Sequence, residues 1–344
     1  MPYRRKFLAL SCLAAALACV YIMTFVFDPA LRRSDAYAWL DPRLRDSVDR
    51  IDFTGGGSGR EGALSLLRRN GRWLVLRGGL EYPAREARVA DLLDLLSRRG
   101  AFPLRSASPA SHALFGLSES AASRITLRGG AGLPLLDLLV GRADAGGGSL
   151  YMRKADGGEV RSGDGGLSAY IDNEARSWYD LRLFPETEAL TADSVQRLTV
   201  IPPVSAGGPA SDIPARMVIS RAGNAWRVGA GDRSLEPGDI EKSRVDSYIN
   251  GIFGITGDDF VPAGGEAPAE ELSAAESSAA EPFADALIFE LGDGRVLTLR
   301  LGPPGEGGTA RISGLRESGA YGYALASWAL ERIFRPPEYF RRPE

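Results

Sequence analysis

The sequence predicts an α+β protein: an N-terminal transmembrane helix, then two tandem copies of a strand-rich unit with covering helices. Three observations predict it. Residues 7–27, FLALSCLAAALACVYIMTFVF, hold no charge. Short alternating stretches bounded by Gly and Pro, 42 and 21 in all, read as strands and turns. Four landmarks recur in the same order in the second half of the chain.

As a helix the apolar run would span about 31 Å, close to the ~30 Å hydrocarbon core of a bilayer. Residues 1–6 carry Arg4, Arg5 and Lys6, whereas Asp28 and Pro29 follow the run. Basic flanks are retained in the cytoplasm, so the expectation is a single-pass bacterial inner-membrane protein with a signal anchor. Residues 28–344 would then be extracytoplasmic, that is periplasmic. Ala16-Leu17-Ala18 before Cys19 offers a cleavage site or a lipid anchor as the rival reading. Against cleavage, the run stays apolar as far as Phe27.

Residues 28–47 read as a juxtamembrane connector and 48–188 as the first repeat. Residues 48–53 alternate as a strand, and 64–67 with 73–76 form a hairpin across Asn70-Gly71. In 84–99, Val89, Leu92, Leu93 and Leu96 fall at helical spacing, with Gly100 as the C′ residue. Strands follow at 124–128 and about 135–140, then a hairpin from 150–153 and 159–161. Residues 177–184, SWYDLRLF, close the unit as a helix stopped at Pro185.

The second repeat, 189–344, restates the first at an offset of about 150 residues. Val195-Gln196-Arg197-Leu198 answers Val48-Asp49-Arg50-Ile51, and Trp226 answers Trp73. Val245, Tyr248, Ile249 and Ile252 repeat the helical face that begins at Val89, and Ser327-Trp328 restates Ser177-Trp178. The repeated tryptophans read as core anchors, since each buries on the order of 200 Å². Residues 263–282, AGGEAPAEELSAAESSAAEP, are small and acidic and predict a disordered insertion. The second copy is nevertheless the shorter, which points to trimming in its later hairpin region.

These residues resemble a known family. The W-x₈-Y-P-x₅-V-x-x-L-L pattern at 73–93, FGLSE at 115–119 and LLVGR at 138–142 carry the resemblance. So do Leu150-Tyr151-Met152-Arg153, Tyr179-Asp180-Leu181-Arg182 and the basic-flanked anchor. Together they look like the bacterial domain of unknown function 4340. The resemblance implies a membrane-anchored extracytoplasmic protein, with an ABC transporter permease and a gliding-motility-type auxiliary component as partners. It implies neither catalytic residues nor a cofactor.

The reactive inventory is thin. Of 41 Lys and Arg, three precede the apolar run, and all 44 Asp and Glu follow it, so no basic footprint for nucleic acid exists. His112 is the single histidine, read as an exposed loop residue, and both cysteines, Cys12 and Cys19, lie in the apolar run. That argues against a zinc site or a Cys-His nucleophile. The Gly-rich turns match neither a P-loop nor a dinucleotide fingerprint. Asp258-Asp259 and the helical pair Asp91 and Asp94 are the carboxylates available to a glycosidase-like mechanism. Arg335, Tyr339, Phe340, Arg341 and Arg342, at the C-terminal end, are the types enriched at interface hot spots. The expectation is a non-enzymatic binding or scaffolding protein without cofactor or metal, an accessory subunit of an ABC-transporter-type complex. The alternative is a cell-envelope glycan hydrolase or binder using acidic residues.

Overall fold

A computed structural model of the chain describes residues 15–17, 37–55, 64–171, 174–184, 190–202, 216–231, 233–262, 284–302, 308–313 and 321–343. They form two antiparallel sheets of nine strands each. The first sheet runs β4-β3-β2-β1-β6-β7-β8-β9-β5, from β1 (Val48–Gly55), β2 (Leu64–Arg69), β3 (Arg72–Arg77), β4 (Leu80–Pro83), β5 (Leu104–Ser106), β6 (Ser123–Gly129), β7 (Pro134–Ala143), β8 (Ser149–Lys154) and β9 (Val160–Asp164). The second runs β13-β12-β11-β10-β15-β16-β17-β18-β14. Its strands are β10 (Val195–Val200), β11 (Met217–Ala222), β12 (Ala225–Ala230), β13 (Arg233–Leu235), β14 (Asp259–Pro262), β15 (Ala284–Leu291), β16 (Val296–Leu301), β17 (Gly308–Ser313) and β18 (Tyr321–Leu325). The two orders are the same, strand for strand.

This corrects the expected class. Antiparallel sheet dominates, because nearly every alternating stretch between turns finds a partner strand on both sides. Only two α-helices of more than seven residues are present among the described residues, α1 (Glu86–Ser97) and α3 (Lys242–Phe253). Two shorter ones, α2 (Ser168–Ile171) and α4 (Ser327–Ile333), accompany them. The transmembrane helix assigned to 7–27 lies outside the described residues except for 15–17, and among the described residues no helix is long and apolar enough to cross a membrane. The single-pass inner-membrane placement, which rested on that helix, is set aside with it. The acidic stretch 263–282 also lies outside the described residues.

Cα proximity divides the chain into two compact units, Met1–Arg77 with Ala84–Trp178, and Gly78–Pro83 with Tyr179–Glu344. In the first, the inward side chains of β1 (Val48, Ile51, Phe53) and those of α1 (Val89, Leu92, Leu93, Leu96) are buried together with Trp73. Asn70 and Gly71 both take positive φ, 51° and 77°, as a two-residue turn between β2 and β3 requires. The Trp73 N–H donates to Glu86 Oε1 at 2.8 Å, fixing the start of α1 over the hairpin. Gly100 is not the C′ residue of α1; it forms a backbone bridge with Tyr37 instead.

The second unit repeats these placements. Trp226 is the second residue of β12, as Trp73 is of β3, and Val245 is the fourth of α3, as Val89 is of α1. The repeat fails at the closing segment. Residues 177–184 are not helical: a 3₁₀ turn, Ala175–Trp178, ends there, and the backbone that follows is extended. Its peptide groups are engaged elsewhere, with Asp180 N–H donating to Pro83 O at 2.9 Å and Leu181 O accepting from Gly257 N–H at 2.7 Å. In the second unit the matching Ser327-Trp328 opens α4. The trimming lies just before it. Between β9 and Trp178 the first unit places a 3₁₀ turn and α2, whereas β18 leads almost directly into α4.

Candidate interaction surface

That deletion exposes a tryptophan. Trp178 is fully buried, with Phe53 at 5.3 Å between ring centroids, Tyr170 of α2 at 5.9 Å and the Arg88 guanidinium 4.8 Å from its ring. The second unit has no counterpart of α2 before Trp328, and Trp328 is 50% exposed. The expectation that every repeated tryptophan anchors a core therefore holds for Trp73, Trp178 and Trp226 but not here.

Trp328 lies on α4 beside a cavity of about 460 Å³, lined by Tyr248, Trp328, Glu331, Arg332, Arg335 and Tyr339 together with Ser247. Its floor is rigid. The Tyr248 hydroxyl donates to Ile333 O at 2.5 Å, and its ring meets Phe340 edge-on at 5.1 Å. Burial pushes the Tyr248 phenol far above its ordinary pKa, against a smaller opposing pull from Arg335. The Arg332 guanidinium of α4 lies over Gly251 of α3, 2.7 Å from where a Cβ there would stand. The rim is aromatic and cationic: Arg335 sits 5.5 Å from the Tyr339 ring centroid, and Tyr339 is 40% exposed.

The C-terminal residues named from the sequence thus divide. Arg335 and Tyr339 line the cavity. Phe340 is fully buried and belongs to the core. Arg341 and Arg342 are exposed, but their backbone is tied down: Ile240 bridges Arg341, and Arg342 N–H donates to Asp239 O at 2.8 Å. Arg244 of α3 clamps the same end by donating to the carbonyls of Tyr339 and Arg341 at 3.3 and 3.1 Å. Trp328, Arg332 and Tyr248 were missed as site residues because repetition marked Trp328 and Tyr248 as core.

The other candidates are placed as follows. His112 is half-buried, its Nε2 3.1 Å from Gly158 O, not an exposed loop residue. Asp94 pairs with Arg45 at 2.9 Å while Asp91 is exposed on the same helix. Asp258 and Asp259 are half-buried at the head of β14, where Asp259 accepts the Phe260 N–H at 2.8 Å. None of these carboxylates lines the cavity beside Trp328. Among the described residues, no three His, Cys, Asp or Glu side chains group as a metal site would.

The motif residues at 115–119, 138–142 and 150–153 lock to one another. Gly116, in the left-handed region at φ 72°, ends the turn that carries Phe115, and the buried Arg153 donates to Leu117 O and to the carbonyls of Lys154, Ala155 and Gly157. In Tyr179-Asp180-Leu181-Arg182, the buried Asp180 accepts from Arg182 Nε at 2.7 Å, and Tyr179 packs on Tyr82 at 5.4 Å. No curated protein and no solved structure matches the chain. The family model described as Domain of unknown function (DUF4340) matches residues 73–277, more than half of the sequence, and the chain belongs to that family.

Proposed function

We propose that this protein is a non-enzymatic binding or scaffolding module, an accessory subunit of an ABC-transporter-type complex, which engages its partner through the surface around Trp328. The observation that carries this reading is the exposure of Trp328 beside a cavity that Arg332, Arg335, Tyr339 and Glu331 also line. Tryptophan, tyrosine and arginine are the types that dominate interface energetics. A single residue, Ala326, separates β18 from α4, so the indole is carried on a short connection rather than a long loop.

The test is affinity purification of the tagged full-length chain from detergent-solubilised cells, with Trp328→Ala and Arg335→Ala compared against the unaltered protein. A permease or ATPase subunit should co-purify with the unaltered protein and fall at least tenfold with either variant. Recovery of no transporter subunit, or equal recovery with both variants, overturns the reading.

A further inference from the structure

A second surface, on the outer face of the first unit's sheet, carries an excess of positive charge that the fold does not require. A cavity of about 820 Å³ is lined there by Asp49, Arg50 and Asp52 of β1, Arg68 of β2, Arg128 of β6 and the glycine-rich turn 129–132. Arg50 and Arg128 are direct cross-strand partners. Like charges facing each other on an antiparallel pair are destabilising. A single carboxylate stands between them: both Asp52 oxygens accept from Arg50 Nε at 2.9 Å, Arg128 Nε lies 3.8 Å away, and Ser65 Oγ donates to it at 2.6 Å. Asp52 is 16% exposed, whereas the two arginine side chains are 45 and 48% exposed. One carboxylate therefore serves two guanidiniums, both from residues that line the groove. Arg68, which donates to Asp46 O at 3.2 Å, adds a third cation. The remaining acid, Asp49, lines the same cavity, its Oδ2 3.7 Å from where a Cβ on Gly130 would stand.

The second unit shows what the same ladder looks like when neutralised. Arg197 occupies the place of Arg50 on β10, but its cross-strand partner is Glu290, 3.7 Å away. The turn after β15 holds its own ion pair, Asp293 with Arg295 at 2.8 Å, where the first unit has Ala131 and Leu133. Strand order and pairing are common to both sheets, so folding needs no second arginine at this position.

We propose that the Arg50–Arg128 groove binds a phosphate group. A doubly charged phosphate suits two guanidiniums that share one carboxylate, and guanidinium offers paired N–H donors to adjacent oxyanion atoms. The phosphate could belong to a soluble metabolite or to a lipid headgroup, and the two sources separate experimentally.

The full-length protein is titrated calorimetrically with pyrophosphate in low salt, and its co-sedimentation with phosphatidylcholine vesicles is measured with and without phosphatidic acid. Saturable binding to at least one probe is expected. Pyrophosphate binding assigns a soluble ligand, and binding to phosphatidic acid vesicles alone assigns a headgroup. Arg128→Gln removes the like-charge pairing without setting a second acid beside Asp52, so it should keep the melting temperature while weakening binding at least tenfold. Arg50→Gln should weaken it similarly, and Glu290→Ala should leave it unchanged. No saturable binding to either probe, or unaltered binding in both arginine variants, overturns the proposal.

Discussion

Gly141 stands against the Phe115 carbonyl: a Cβ on Gly141 would lie 2.2 Å from that oxygen and 3.0 Å from Leu117 Cγ. Two motifs of the family, 115–119 and 138–142, therefore meet at a point where one of them must lack a side chain. Backbone is what obstructs, and it cannot swing away as a side-chain tip would. Gly141→Ala should destabilise the first unit by about 2–4 kcal/mol, a penalty of the overpacking kind, read as a lower urea midpoint. Gly147→Ala, where nothing lies within 4 Å but φ is 70°, should cost only about 1 kcal/mol.

The two tryptophans of the repeated Ser-Trp step should separate stability from binding. Trp178→Ala removes a fully buried ring packed on Phe53 and should cost about 3–5 kcal/mol. Trp328→Ala should change the unfolding free energy by about 0.5 kcal/mol or less while abolishing partner recovery. Equal losses of stability would show that Trp328 is a core residue after all.

Arg153 should tolerate no neutral replacement. Its guanidinium is buried and satisfies carbonyls of Leu117, Lys154, Ala155 and Gly157. Arg153→Met would leave those acceptors buried without donors, at about 1–3 kcal/mol for each one that water cannot reach. Thermal unfolding of the variant should be markedly earlier, and Arg153→Lys should recover only part of the difference, because an ammonium cannot span the same carbonyls.

Tyr248 should make the protein alkali-sensitive. Its phenol pKa is raised in the folded state by burial, so the tyrosinate is disfavoured there relative to the unfolded chain. The stabilisation is complete below the unfolded value of about 10 and is lost as pH climbs from there toward the folded one. Urea unfolding between pH 9 and about 11.5 should show a decline that Tyr248→Phe lacks. The variant itself should be about 1 kcal/mol less stable at neutral pH, from loss of the bond to Ile333 O.

How much of this was legible beforehand depended on whether a signal was local. The periodic faces of Val89 to Leu96 and Val245 to Ile252 found α1 and α3, because spacing alone decides which side of a helix is apolar. Asn70-Gly71 found its hairpin for the same reason. The segment 177–184 misled: its apolar spacing is helical, yet hydrogen bonds to Pro83 and Gly257, remote in sequence, hold it extended. Trp328 misled more instructively. Its repeat partner Trp178 is buried, and what differs is the α2 segment that one copy has and the other lacks. Of the C-terminal candidates, composition picked Arg335 and Tyr339 but could not tell them from Phe340, whose burial depends on Tyr248. The Arg50–Arg128 pair went unnoticed because cross-strand register is not written in either strand alone.

The strand order has one more consequence, for synthesis. In each sheet the strand after the long helix waits at the edge for the last strand of the unit: β5 pairs only with β9, and β14 only with β18. Such distant pairings form late and slowly. As the chain leaves the ribosome, the first sheet can be finished while the second is still being made, but β14 must stay unpartnered until β18 has followed it out. Through that interval its bare edge is open to mispairing, and a chaperone or an early-arriving partner would find it there.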